Sequence, residues 1–120
     1  MPLYPLWIYT IAMADIDAFL PLPAATFHIL MALAAGDRHG YSIMQEVKLG
    51  PATLYRSLQR MVEQGLVIET RERPAADLDD ERRRYYRITR LGENVARAET
   101  RRLSELVRLA RASGFAAGKA

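Results

Sequence analysis

The chain has no cysteine and only two histidines among its 120 residues. A disulfide and a thiolate metal site are therefore excluded, and His28 and His39 alone cannot build a zinc centre. His28 falls in an apolar stretch and reads as a core histidine, whereas His39 stands where a helix opens and can bond backbone or phosphate. No glycine-rich phosphate loop is present and no nucleophile–base pair can be assembled, so no catalytic residue is assigned and the chain does not read as an enzyme. Asp77, Asp79, Asp80 and Glu81 lack the ordered alternation and the closing bidentate glutamate of a calcium loop. Neither a metal nor a cofactor is expected. Charge is missing as well: Met1 to Ala14 carries none, and without a basic start it does not read as a secretory signal. Ala18 to Gly36 is also uncharged, but Pro21 and Pro23 break its first third, which argues against a membrane span. Together with the absent cysteines, this points to a cytoplasmic protein.

The charge that is present is unevenly placed. Histidine aside, Arg38 is the only basic residue before Lys48, whereas Arg71 to Arg90 holds seven arginines, at 71, 73, 82, 83, 84, 87 and 90. With a formal net charge of +3 and an isoelectric point near 9.5, this clustering suits a polyanionic partner. The length implies one domain with a modest core, which self-association would help to stabilise.

Pro51 to Gln64 is the clearest element. Leu54, Leu58, Met61 and Val62 follow helical spacing and form one apolar stripe, with Pro51 suited to the first turn and Gly65 to the left-handed position past the end. The opposite face carries Thr53, Arg56, Gln59, Arg60 and Glu63, flanked by Tyr55 and Ser57. A guanidinium can fork onto guanine and a glutamine amide onto adenine, so this face has the chemistry to read a major groove. Leu66 to Arg73 then reads as a strand running out from the core, Pro74 to Glu81 as a reversal, and Arg83 to Thr89 as the return strand. Arg82, Arg83 and Arg84 sit beside that reversal, where they would meet phosphate, with the nearby carboxylates as local competitors.

Two long apolar patterns flank this unit. Ala24 to Ala35 predicts a buried first helix with Phe27, Leu30, Met31 and Leu33 facing inward. Leu91 to Ser113 predicts one long helix whose stripe includes Val95, Ala98, Leu103, Leu106, Val107 and Ala110. So long a helix needs a partner: either it packs back on its own domain, which has little surface left to cover, or, as expected, it meets a two-fold copy of itself, with Val95, Leu103, Leu106, Val107 and Ala110 as dimerisation residues. Met13-Ala14-Asp15 would itself make a polar start. Met1 to Ala12 is therefore either a misassigned extension or an extra dimer-packing segment.

The ordered motifs His39-Gly40-Tyr41, Leu49-Gly50-Pro51-Ala52-Thr53-Leu54-Tyr55, Gly65-Leu66-Val67 and Arg82-Arg83-Arg84-Tyr85-Tyr86-Arg87-Ile88-Thr89, followed by Gly92, resemble the PadR family of transcriptional regulators. The resemblance runs from about Phe27 through the C-terminal helix. It implies a homodimeric winged-helix repressor, dimerised by its C-terminal helix and bound to a pseudo-palindromic operator. It also implies a phenolic or drug-like effector at the dimer interface, for which Tyr4, Trp7 and Tyr9 are the candidate lining groups. Two departures stand out. Family members carry a longer segment before the Leu-Gly-Pro motif, so here either the helix-turn-helix joint is short or a loop is absent. Ala52 also replaces a common second glycine, which puts a positive φ at that position in doubt.

The resulting reading is a mainly α fold with a small β-hairpin wing. It divides into an N-terminal extension (1–22), a winged helix-turn-helix (23–90), a C-terminal dimerisation helix (91–113) and a tail (114–120). Its function is that of a sequence-specific, double-stranded-DNA-binding repressor released by a small-molecule effector. In this reading Thr53 and Tyr55 touch phosphate, Arg56, Gln59 and Arg60 read or brace the groove, and Arg82, Arg83 and Arg84 clamp the backbone. The competing reading is a winged-helix module that binds an acidic protein with the same face.

Overall fold

The computed structural model describes residues 16–70 and 84–115. After a helical turn at 16–18 come α1 (Ala24–Leu33), β1 (Arg38–His39), α2 (Gly40–Val47), α3 (Pro51–Gln64), β2 (Val67–Thr70), β3 (Tyr85–Ile88) and α4 (Arg90–Ala112). The architecture is mostly helical, with a small antiparallel sheet and a long C-terminal helix. Within the sheet β3 is central, pairing with β2 through Val67 opposite Ile88 and with β1 through Arg38 opposite Tyr86. β1 adds a third strand to the expected hairpin. Two residues cannot display an alternation, so this strand leaves no periodic trace in the sequence.

Inside the sheet and helices lies one core, to which Ile29, Leu30 and Leu33 of α1, Ile43 of α2, Leu54, Leu58 and Met61 of α3, and Val95 of α4 all contribute. Leu22 joins it, and Ile16, Phe19 and Leu20 pack against it. The expected facing of α1 needs correction: Met31 is 48% exposed, and Ile29 and Ala32 are buried instead. His28 is exposed as well and is not a core histidine. α1 is apolar almost all round, so its composition defines no stripe from which facing could be read. It also stops two residues early, with Ala34 as its C-cap and Gly36 turning the chain at φ 147°.

α3 matches its expected bounds because both ends are locally specified. Pro51 occupies the first turn, and Gly65 takes the left-handed conformation at φ 80°. The Gly65 and Leu66 amides then donate back to the carbonyls of Val62 (3.1 Å) and Met61 (2.9 Å), satisfying groups a helix end would leave open. Between α2 and α3 the joint consists of Lys48, Leu49 and Gly50. Ala52 lies inside the first turn of α3. The positive φ falls instead on Lys48, at 57°, the only non-glycine with one among the described residues.

α4 is anchored to the far end of α3. The Thr89 hydroxyl accepts the Gly92 amide (3.0 Å) as an N-cap and donates to the Gly65 carbonyl (2.6 Å), while the Thr89 amide reaches the Leu66 carbonyl (3.0 Å). A Cβ on Gly92 would collide with the Leu66 carbonyl oxygen. Glycine is what lets the helix start so close to that loop. Farther along, Glu99 is buried and its carboxylate takes both Nε (2.6 Å) and a terminal nitrogen (2.8 Å) of Arg102. The Leu22 backbone adds another hydrogen bond, and these contacts, with Arg102 foremost, hold the Glu99 carboxyl below its usual range.

Candidate nucleic-acid interface

α3 presents a polar face because its other face is consumed by the core. Leu54, Leu58 and Met61 point inward, and Thr53, Tyr55, Arg56, Gln59 and Arg60 are all exposed. Tyr55 lies over the start of α2, where a Cβ on Gly40 would come within 2.8 Å of its ring and hydroxyl oxygen. That contact gives a steric reason for glycine at the opening of α2 and braces Tyr55 on the helix-turn-helix. α2 itself is capped by His39, whose Nδ1 accepts the Ser42 amide at 3.1 Å. His39 also meets the Tyr85 ring edge-on at 5.5 Å.

The wing base adds charge and aromatic surface. Arg84 is exposed and lies 3.5 Å from Glu69 across the sheet. Burial first, and then the charge of Glu69, raise the Tyr86 phenol above its ordinary range, with Tyr55 close enough to contribute. Arg82 and Arg83 lie outside the described residues, as do Arg71, Arg73 and the acidic cluster Asp77, Asp79, Asp80 and Glu81. Tyr4, Trp7 and Tyr9 lie outside them too.

Ion pairing separates the described cations into two groups. Arg87 is held by Asp37 through Nε (3.0 Å) and a terminal nitrogen (2.8 Å), although the sequence groups it with the wing. Arg38 pairs with Glu46 at 2.8 Å. On α4, Arg102 and Arg108 take carboxylates at 2.6 and 2.7 Å, and Arg90 and Arg97 share Glu93 at 3.9 Å. Lys48, Arg56 and Arg60 have no carboxylate partner among the described residues, and of the remaining cations only Arg101 and Arg111 of α4 share that state. Three cations without a carboxylate partner among the described residues thus fall on α3 and the joint leading into it. Sequence reasoning found Arg56 and Arg60 from the helical wheel. It did not single out Lys48.

The profile of the transcriptional regulator PadR-like family matches residues 29–98, which run from the middle of α1 into α4. The chain belongs to that family. That family is one of transcriptional regulators. Its fold is shared with a PadR family transcription regulator from Clostridium difficile at TM-score 0.65 and 21% identity, covering 74% of this chain and 96% of that one. The PcaV transcriptional regulator of Streptomyces coelicolor, solved with its natural ligand, is similar at TM-score 0.66 and 20% identity over 94% and 85% of the two chains. ZitR of Lactococcus lactis, a zinc-responsive MarR family member, is similar at TM-score 0.56 and 28% identity, with 77% of this chain and 63% of that chain covered. No curated protein matches the sequence. The winged-helix frame these regulators share accounts for the placement of α2 and α3 as the paired helices and of β2 and β3 as the wing.

On α4 the apolar residues have two destinations. Val95 is fully enclosed in the chain's own core, which removes it from the expected dimerisation set because it has no surface left to offer. Leu106 and Val107 are about half exposed, as is Leu109, while Leu103 and Ala110 are partly covered. Among the described residues no helix is long and apolar enough to cross a membrane.

Proposed function

We propose that this PadR-like protein is a dimeric, sequence-specific DNA-binding repressor of the cytoplasm, released from a pseudo-palindromic operator by a small organic effector. The observation that carries the reading is that Arg56 and Arg60, on the exposed face of α3, have no carboxylate partner among the described residues, in a molecule that neutralises most of its other described arginines internally. Unpaired guanidiniums gain from phosphate or a guanine edge without first breaking an ion pair. α3 enters the major groove, Arg56, Gln59 and Arg60 meet base edges, Thr53 and Tyr55 touch phosphate, and Arg82, Arg83 and Arg84 of the wing grip the neighbouring backbone. Leu103, Leu106, Val107 and Ala110 of α4 join two copies, so that two recognition helices meet two half-sites.

For the effector, PcaV offers the precedent of a structural relative with a ligand. Here a cavity of about 440 Å³ opens between α1 and α4, lined by Phe27, Met31, Ala96 and Thr100, with Arg97 and Arg101 beside them. That is the size and mixed character of a small-molecule site. Tyr4, Trp7 and Tyr9 remain additional candidates. Selection from random duplex DNA, followed by anisotropy titration of the enriched sequence against salt, tests the proposal. A recovered dyad motif and an affinity falling steeply with salt are expected. Failure to enrich any sequence, together with salt-insensitive binding, would leave the acidic-protein reading in its place.

A further inference from the structure

Lys48 is placed oddly for a lysine. It closes α2 in the left-handed conformation, φ 57° and ψ 41°, with its amide bonded to the Met44 carbonyl at 2.9 Å. That backbone conformation is disfavoured for any residue carrying a Cβ and is usually left to glycine or asparagine. Its neighbours Val47 and Leu49 are partly buried and pack against the core, so the joint is held on both sides and Lys48 is left facing solvent. It is one of two lysines in the chain, the other being Lys119, in an otherwise arginine-rich set of cations. No carboxylate among the described residues neutralises it. The short joint thus holds, in a backbone state that costs energy, an exposed lysine with no carboxylate partner among the described residues, which leaves its charge open to an external anion.

We propose that Lys48 is a phosphate-binding residue that sets how α3 sits in the groove. The inference rests on the DNA-binding reading above and deepens it. Lys48 lies three residues before Pro51, separated from it by Leu49 and Gly50, at the end of α3 that leads in a helix-turn-helix. The backbone there flanks the groove, within reach of a four-carbon ammonium stem. A lysine suits this contact because it acts as a mobile point charge and needs no planar fork. By holding one phosphate beside the start of α3, it fixes the register from which Arg56, Gln59 and Arg60 meet the bases.

The experiment compares wild type, Lys48→Gly, Lys48→Asn and Lys48→Arg by thermal melting and by salt titrations on a selected operator and on a random duplex. Glycine and asparagine should raise the melting temperature or leave it unchanged, since both accept the left-handed state. Both should nevertheless bind each duplex about 5–15-fold more weakly, with the log–log salt slope reduced by about 0.9 per protomer for one lost phosphate. Arginine should keep affinity and slope. If the glycine and asparagine proteins bind with wild-type affinity and slope, the proposal is overturned while DNA binding stands. A loss of affinity with an unchanged slope also overturns it, because a stiffness effect leaves the phosphate count intact. If the wild-type protein shows no salt-dependent duplex binding, the DNA-binding reading fails and the Lys48 proposal goes with it.

Discussion

α3 and α4 are both amphipathic helices, yet they leave opposite things unfinished. α3 completes its apolar business inside the chain, with Leu54, Leu58 and Met61 fully buried, and leaves Arg56 and Arg60 exposed with no carboxylate partner among the described residues. α4 does the reverse. Its arginines largely pair along the helix, as in Arg102 with Glu99 and Arg108 with Glu105, while Leu106, Val107 and Leu109 stay half exposed beyond the core. A helix with spare charge calls for a polyanion, and one with spare apolar surface calls for another apolar surface. One chain therefore carries two kinds of unfinished interface on separate helices.

Breaking the α4 side should have the largest effect. Leu103→Asp with Leu106→Asp puts carboxylates into the proposed seam but not into the core, so the monomer should fold while dimerisation weakens by at least about 3 kcal/mol, roughly 100-fold. Sedimentation should show monomers, and operator affinity should fall because two linked half-sites no longer share one particle. A folded dimer at micromolar concentration would remove these residues from the interface. On the wing, Arg82→Ala, Arg83→Ala and Arg84→Ala together should weaken operator and random duplex alike and lower the salt slope by up to about three per protomer. Unchanged slopes would mean that the wing does not touch the backbone and that α3 carries the phosphate contacts alone.

A smaller effect tests how fully α4 satisfies its own charge. Because Arg102 and the Leu22 backbone favour ionised Glu99, its folded pKa lies below its unfolded value. The pair's stabilisation is then fully present above the unfolded value, about 4.3, and is lost as pH falls through the folded one. Glu99→Gln should cost about 1–2 kcal/mol at neutral pH, and progressively less as acidification protonates the wild-type carboxylate. Melting curves in which wild type and variant lose stability in parallel on acidification would show that Glu99 is not held ionised.

How far the sequence discloses this arrangement depends on how local the cause is. α3 is legible to the residue because Pro51 and Gly65 mark its ends chemically, and α4 is legible to within one residue. The exposed set Thr53, Tyr55, Arg56, Gln59 and Arg60 follows from the wheel alone. Features that depend on distant chain were hidden. Arg87 reads as a wing cation until Asp37, fifty residues away, is seen to hold it. Val95 and Leu106 share one stripe, and hydrophobicity cannot say that the first is buried in its own core and the second left half exposed. The left-handed Lys48 was invisible for a related reason: its backbone is dictated by the shortness of the joint and the packing of Val47 and Leu49.

Whether α3 reads sequence, and not merely charge, is best tested at Arg56, which is exposed opposite the buried stripe and has no carboxylate partner among the described residues. The measurement is the affinity of Arg56→Ala and Arg56→Lys for the selected operator and for a random duplex at one salt concentration. A guanine contact predicts that alanine loses about 1–3 kcal/mol per half-site on the operator and much less on random DNA, and that lysine fails to restore the difference because it lacks the planar fork. Equal losses on both duplexes for alanine, with near-normal binding for lysine, would contradict base reading by Arg56 and reduce it to a phosphate contact.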